Sequence, residues 1–237
     1  MIRQHFQFRS TIATILADRQ EHVDAARAAL IDARQRVERY VARDPFFRTS
    51  FEPCTPDSDD PIIIRMADAS QEAGVGPMAA VAGAIAWAGV EAMQDEGARF
   101  AVIDNGGDIA MLTEREIRIG VFAGLSPFSG RCAFVMPPSD GILGCCTSSA
   151  TVGPSISLGV ADAVCVFSKN VALADAWATA ICNEVRIEDT RVFHRLDGSG
   201  VQGVFVIAGT WTTRWGILPE LTRARVDERL ISSGDGY

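Results

Sequence analysis

The side chains best suited to bind a ligand or a metal ion lie in segment 168–183, SKNVALADAWATAICN. Its apolar composition predicts a short helix with Ser168 or Asn170 as N-cap, and Asp175 and Thr179 are one turn apart in it. Residues four apart share a helix face, so this carboxylate and this hydroxyl point the same way. A carboxylate buried among alanines is costly unless a cation compensates it, and a divalent cation that also holds a phosphate would do so. The spacing therefore favours Asp175 and Thr179 as metal ligands.

A plainer interpretation of the same helix stays open. Asp175, Thr179, Asn183 and Arg186 recur at helical spacing, as the solvated stripe of an ordinary amphipathic helix would. Judged on this segment alone, the two interpretations are about equally good.

A glycine pair follows the predicted strand RFAVI, as Asn105, Gly106, Gly107 and Asp108. Asn-Gly between two strands typically indicates a two-residue hairpin turn, and this is the favoured interpretation. Two glycines beside acids also allow a ligand to approach the backbone closely, so the segment is a candidate nucleotide contact.

Hydroxyl groups are concentrated in segment 146–157, CTSSATVGPSIS. Thr147, Ser148 and Ser149 and the neighbouring backbone N–H groups could hold an anion, although an ordinary polar loop is somewhat favoured. The helix start at Gly76–Val81 is a third candidate anion site, and its alternative is a simple start signal with proline in the first turn.

The elements that must position these residues are mostly strands. Segment 2–17 predicts two strands joined near Arg9, segment 20–43 predicts a long amphipathic helix with Asp18 as cap, and segment 44–61 predicts a loop. An alanine-rich helix is expected from about Pro77 to Gln94, and further short strands follow it. We therefore expect an α+β fold in which antiparallel sheet predominates.

Composition excludes several classes of protein. The 237 residues carry a net charge of −8 with no basic cluster, so we expect no nucleic-acid partner. The first ten residues lack the apolar core of a secretory signal, and segment 78–93 is too short for a membrane span, so we expect no membrane partner. Six cysteines without a CxxC pair, together with three histidines, make a zinc site improbable and suit the cytoplasm.

Five segments taken in order resemble the ApbE superfamily, the FAD:protein FMN transferases and their shorter relatives. They are GVGPMAAVAGAIA, VIDNGGDI, GVFAG, CTSSATVG and ALADAWATAI, and they cover nearly the whole chain. The chain is most similar to a short branch of UPF type. The resemblance implies one ApbE-like domain over residues 1–237, an α+β fold with antiparallel sheets and packed helices. It also implies duplicated T-fold-like halves, at 1–125 and 126–237.

The resemblance also implies a site. ADAWAT resembles the family's A-D-x-x-A-T signature, which implies Asp175 and Thr179 as ligands of Mg²⁺. The glycine pair implies a flavin-nucleotide contact at residues 105–108. Thr147 and Ser148 resemble the family's T-S-G segment, in which Ser149 replaces the glycine.

Two family segments have no counterpart here. The transferases carry a lysine-containing K-G-Y where this chain has Val81, Ala82 and Gly83, and they carry an H-x-x-D-P segment for which 150–160 offers no histidine or aspartate. The catalytic residues are therefore unassigned.

Three functions remain open from the sequence. The chain could cleave FAD or transfer FMN from it to a protein hydroxyl, using FAD and Mg²⁺ and an acceptor protein. It could instead bind a flavin nucleotide or similar phosphorylated ligand without transferring it, or act on a different anionic metabolite. The sequence leaves the oligomeric state open, a homo-oligomer included.

Overall fold

The computed structural model describes residues 1–152 and 159–227. Residues 153–158 of the predicted anion loop, and the polar end of the chain from residue 228, lie outside the described residues.

One antiparallel sheet of eight strands runs through the fold. Its strands are β1 (Ile2–Phe8), β2 (Thr11–Ala17), β3 (Phe100–Asn105), β4 (Asp108–Thr113), β7 (Ser139–Ser148), β8 (Ala163–Ser168), β9 (Val201–Ala208) and β10 (Trp211–Gly216). They lie side by side in the order β1-β2-β3-β4-β7-β8-β9-β10. This architecture confirms the predicted α+β class with antiparallel sheets.

The helices pack on one face of this sheet. They are α1 (Gln20–Arg43), α2 (Pro45–Thr49), α3 (Pro61–Ala73), α4 (Val81–Asp95) and α5 (Val171–Glu184), with 3-10 turns at Pro77–Ala80 and Arg191–Leu196. The side chains between the helices and the sheet form the larger core. Ile15, Ile103 and Val166 are in this core, each on the face of its strand that points towards the helices.

A second sheet covers the other face. It has the order β11-β6-β5, with β5 at Ile117–Gly120, β6 at Cys132–Met136 and β11 at Glu220–Arg223. Phe134 of this small sheet packs edge-on against Phe167 and Phe205 of the large one, at ring-centroid distances of 4.8 and 5.7 Å. The central strands are therefore buried on both faces.

Two details of the sequence prediction are wrong. Asp18 does not cap α1, whose N-cap is Arg19 without a side-chain hydrogen bond; Asp18 instead accepts hydrogen bonds from Arg115. Segment 44–61 is not all loop, because the Asp44 side chain accepts from the backbone N–H groups at the start of α2.

The order of elements repeats across the large sheet. β1 and β2 precede helices that are followed by β3 and β4, and β7 and β8 precede α5, which is followed by β9 and β10. A duplicated fold would produce this order, and the T-fold-like duplication itself stays a prediction.

Among the described helices, none is by itself both long and apolar enough to cross a membrane. The bent pair Pro61–Ala73 and Pro77–Asp95 meets that length and composition test only when the two segments are combined.

Candidate functional site

Asp175 lies on a helix that is buried almost all round. Asn170 caps α5 by accepting a hydrogen bond from the Leu173 backbone N–H at 3.0 Å, which fixes where the helix begins. Asp175 is only 6% exposed, and its Oδ2 accepts from the backbone N–H of Gly83 at 2.8 Å. The first turn of α4 is thereby joined to the middle of α5.

Gly83 allows this close approach. A Cβ at this position would lie 2.8 Å from the Val171 carbonyl oxygen and 2.9 Å from the Asp175 Cβ. Any larger residue would push the two helices apart, so glycine is required where α4 begins beside Asp175.

The glycine pair forms the turn between β3 and β4. Asn105 pairs with Asp108, and Gly106 and Gly107 between them have φ angles of 70° and 101°. This confirms the predicted two-residue hairpin, because both positions need the left-handed backbone that glycine adopts freely. Asn105 Nδ2 also donates to the Ala82 carbonyl at 3.0 Å, which places the turn beside the start of α4. The ligand contact predicted here stays a prediction.

Asp108 reaches the same region from the first residue of β4. Its Oδ1 accepts from the backbone N–H of Thr147 at 3.3 Å, across the pairing of Asp108 with Cys146. The buried Cys146 thiol also hydrogen-bonds to Asp108 and lies 3.5 Å from the Val171 carbonyl oxygen.

Of the hydroxyl groups predicted for the site, some contact one another there and others bond to neighbouring groups outside it. Thr179 Oγ1 lies 3.1 Å from Ser148 Oγ, so the end of β7 meets the third turn of α5. The Thr147 hydroxyl instead donates to Cys165 Sγ, and Ser149 Oγ accepts from the backbone N–H groups of its own loop.

The structure therefore brings together Asn105, Asp108, Ser148, Asp175 and Thr179, among the residues predicted from the sequence. Gly106 and Gly107 border this group. Thr147 contributes a backbone N–H only, and Ser149 contributes no direct contact to it in the described residues.

Burial dominates the electrostatics of the two carboxylates. It raises the pKa of Asp175 to about 7, although the backbone N–H groups of Gly83 and Ala82 partly offset the rise. Burial also raises the pKa of Asp108 well above its usual range, and the neighbouring charge of Asp175 raises it further. Two acids that oppose each other's ionisation thus lie at one place.

The donor set is suited to a hard cation that shares its coordination with a ligand. The described residues contain no group of three or more His, Cys, Asp or Glu arranged to hold a metal ion. Mg²⁺ does not need such a group, since it commonly binds one or two carboxylates together with phosphate oxygens and water. Asp108, Asp175 and the Thr179 hydroxyl offer oxygen atoms only, which fits Mg²⁺.

A separate open cavity of about 500 Å³ is lined by Arg43, Pro56, Asp57, Ser58 and Asp59. It shares no lining residue with the carboxylate pair and is not part of this site.

Sequence reasoning missed the roles of Gly83 and Cys146. Gly83 carries a weak signal, a glycine in the first turn of an alanine-rich helix, where only a close neighbour would require it. Cys146 carries none, because its contact with Asp108 depends on the pairing of two strands that are distant in sequence.

Comparisons with known proteins agree with this fold. The protein-family model described as "AbpE bacteria" matches residues 3–202. A UPF0280 protein of Methanosphaerula palustris is 57% identical over 237 residues and 100% of each chain. A second, from Methanoculleus marisnigri, is 58% identical over 100% of this chain and 98% of its own.

Two solved structures have similar folds. The apo form of the flavinyl transferase ApbE of Pseudomonas stutzeri has a TM-score of 0.60 at 11% sequence identity, over 98% of each chain. The flavin transferase ApbE of Vibrio cholerae has a TM-score of 0.52 at 12% identity, over 90% of this chain and 96% of its own. The predicted ApbE-like fold is confirmed.

Proposed function

Because this chain belongs to the family described as AbpE bacteria, together with relatives named UPF0280 proteins, we propose that it binds a flavin nucleotide with Mg²⁺. The metal ligands would be Asp108, Asp175 and Thr179. The flavin nucleotide would lie against the glycine turn and the end of β7.

One observation carries the proposal. Asp108 and Asp175 come from different elements and meet beside the start of α4, and each accepts hydrogen bonds from neutral groups. In the part of the chain that the structure describes, no lysine or arginine pairs with either carboxylate. A divalent cation would supply the missing positive charge.

The chain's own residues would position this ligand set. The Gly83 N–H holds Oδ2 of Asp175 in place, and the contact with Ser148 holds Thr179 in place. The open space beside Gly106 allows a ligand to approach the backbone. Bound Mg²⁺ would neutralise charge on a ligand pyrophosphate, which favours cleavage of FAD or transfer of its FMN part to a hydroxyl group.

FAD turnover tests this proposal. Purified protein is expected to convert FAD into FMN and AMP, or to attach FMN to a protein hydroxyl, only when Mg²⁺ is present. Asp175→Asn should remove turnover, and Asp68→Asn, an exposed aspartate of α3, should leave it unchanged. Turnover that persists in EDTA, or in Asp175→Asn, would count against the proposed metal site.

A second candidate is flavin binding without catalysis. The only lysine of the chain is Lys169, and the contacts of the carboxylate pair in the described residues include no histidine. A site without these bases suits binding better than proton transfer. Equilibrium binding of FAD with no product over long incubation would favour this candidate, and failure to bind FAD or FMN would reject both.

A further inference from the structure

The amide side chain of Asn105 joins the glycine turn to the start of α4. Asn105 is only 7% exposed, and it lies two residues beyond Ile103 in β3, so it points to the helix side of the sheet. Its Nδ2 donates to the Ala82 carbonyl at 3.0 Å. A carbonyl oxygen can only accept a hydrogen bond, so the nitrogen of the amide, and not its oxygen, must face α4.

The peptide group that Asn105 contacts also holds Asp175. The Ala82 carbonyl and the Gly83 N–H belong to one peptide group, and this N–H donates to Asp175 Oδ2 at 2.8 Å. A trans peptide group is planar, and its C=O and N–H bonds point in opposite directions. Asn105 and Asp175 therefore hold the same peptide group from opposite sides.

The start of α4 depends on these contacts from other elements. Ala80 is the N-cap of α4 and makes no side-chain hydrogen bond, and the N–H groups of Ala82 and Gly83 both donate to Asp175 of α5. Gly83 has no free space towards α5, since a Cβ there would lie 2.8 Å from the Val171 carbonyl oxygen. The peptide group is thus confined by β3 on one side and by α5 on the other.

These groups form a chain of hydrogen bonds that ends at a carboxylate. The Asn105 amide donates to the peptide oxygen, and the peptide nitrogen donates to Asp175. Donation to the oxygen polarises the peptide group and strengthens the hydrogen bond that its N–H makes. Loss of the Asn105 amide would therefore free the peptide group to reorient and weaken its hydrogen bond to Asp175.

The strand pairing places the second carboxylate beside Asn105. Asn105 pairs directly with Asp108 across the glycine turn. Directly opposed residues of an antiparallel pair lie on one face of the sheet, with Cβ atoms about 5 Å apart. Asn105 is therefore next to Asp108 and is linked through the peptide group to Asp175.

We infer that Asn105 is a positioning residue for the Asp175 carboxylate, which it aligns with Asp108 through the peptide group of Ala82 and Gly83. That a cation binds between these carboxylates rests on the proposed function, whereas the link from Asn105 to Asp175 rests on the hydrogen bonds alone.

The cation affinity of the full chain tests this role. Mn²⁺ is the probe, because it takes the same oxygen ligands as Mg²⁺ and its bound fraction can be measured by EPR. It is titrated alone and in the presence of FAD. The variants are Asn105→Ala and Asn105→Leu. Leucine nearly keeps the side-chain volume of asparagine, which preserves the test if the cavity left by alanine impairs folding.

Thr113→Val is the matched control. Thr113 is 1% exposed at the other end of β4, and its hydroxyl donates to the Arg115 carbonyl at 2.7 Å. This change therefore removes a buried hydrogen bond to a backbone carbonyl away from the site, and urea denaturation compares its cost with that of the Asn105 variants.

We expect both Asn105 variants to bind Mn²⁺ about tenfold more weakly than the wild type, as is typical when a group that orients a metal ligand is removed. Thr113→Val should bind Mn²⁺ like the wild type. In the metal-free protein, the NMR signal of the Gly83 amide proton should move to lower chemical shift in both Asn105 variants, because its hydrogen bond to Asp175 is weaker. The amide proton of Gly89, later in α4, should keep its shift.

The positioning role and the proposed function can fail separately. Equal Mn²⁺ affinity in the wild type and both Asn105 variants, or an equal loss in Thr113→Val, would overturn the positioning role and leave the cation site standing. If the wild type binds no Mn²⁺ under either condition, the proposed function fails. The Gly83 signal then decides the link to Asp175, which is retained if the signal moves in the Asn105 variants and overturned if it does not.

Discussion

The buried carboxylate of Asp175 should make the protein less stable as the pH rises. Burial raises its pKa to about 7 in the folded chain, from 3.8 for an exposed aspartate. Between these values the folded state holds a proton that the unfolded state has released, so the free energy of unfolding falls with rising pH. This contribution is complete below about pH 4 and is lost as the pH passes through about 7.

The magnitude follows from the size of the pKa change. Each pH unit in this range is worth about 1.36 kcal/mol, so the whole change corresponds to about 4 kcal/mol. Between about pH 5.5 and about pH 8, the Asp175 contribution should fall by about 2 kcal/mol. Asp175→Asn cannot ionise, so its free energy of unfolding should fall by about 2 kcal/mol less than that of the wild type over the same interval.

Urea denaturation at the two pH values, in EDTA, measures this difference. The comparison between pH values cancels the cost of the altered hydrogen bond to Gly83, because that cost is present at both. Asp68→Asn replaces an exposed aspartate and should follow the wild type. Added Mg²⁺ should stabilise the wild type at the higher pH more than it stabilises Asp175→Asn.

One result would refute the reasoning. If Asp175→Asn and the wild type lose equal stability between the two pH values, the Asp175 carboxylate does not titrate in this interval. Its pKa is then not raised to about 7 by burial, and a positive charge that compensates the carboxylate in the folded chain would produce this result.

Three further predictions follow from the same structure. Asp175→Asn should lower the pKa of Asp108, because it removes a neighbouring negative charge, and an unchanged carboxyl-carbon NMR titration would contradict this. Gly144→Ala should lower the free energy of unfolding in urea titration by about 1–3 kcal/mol, because the added Cβ would lie 2.9 Å from the backbone of α5. The control is Gly141→Ala in the same strand, whose Cβ would meet no atom within 4 Å and which should cost far less. Gly107→Ala should cost about 1–2 kcal/mol, because its φ of 101° strains any side chain, and a melting temperature equal to the wild type would contradict this.

The features that could be predicted from the sequence are those determined by residues close together in the chain. Helix α1 begins and ends where the repeat of apolar residues in 20–43 predicts, and the glycine turn lies where Asn105 and Gly106 indicate. Asp175 is buried, as its alanine neighbours suggest. Each of these properties is determined by residues within a few positions of one another.

The features that sequence reasoning missed depend on distant parts of the chain. Asp18 looks like a helix cap, but Arg115 lies beside it and takes it as an ion-pair partner. The approach of Asp108 to Asp175 requires the β4–β7 pairing and the packing of α5 on β7, and neither is visible in a local pattern.

The two faces of strand β7 line the two hydrophobic cores of the protein, and one end of the strand lies at the candidate site. Cys145 lies in the core shared with the small sheet, and Cys146 lies in the core beneath the helices, next to Asp108. Inserting or deleting one residue in β7 would move the side chains beyond that point to the opposite face of the sheet. Ser148 would then point away from α5, and the side chains of β7 that pack in one core would point into the other. Related chains should therefore vary in length within their loops, and the ladder between β4 and β8 should keep its residue count.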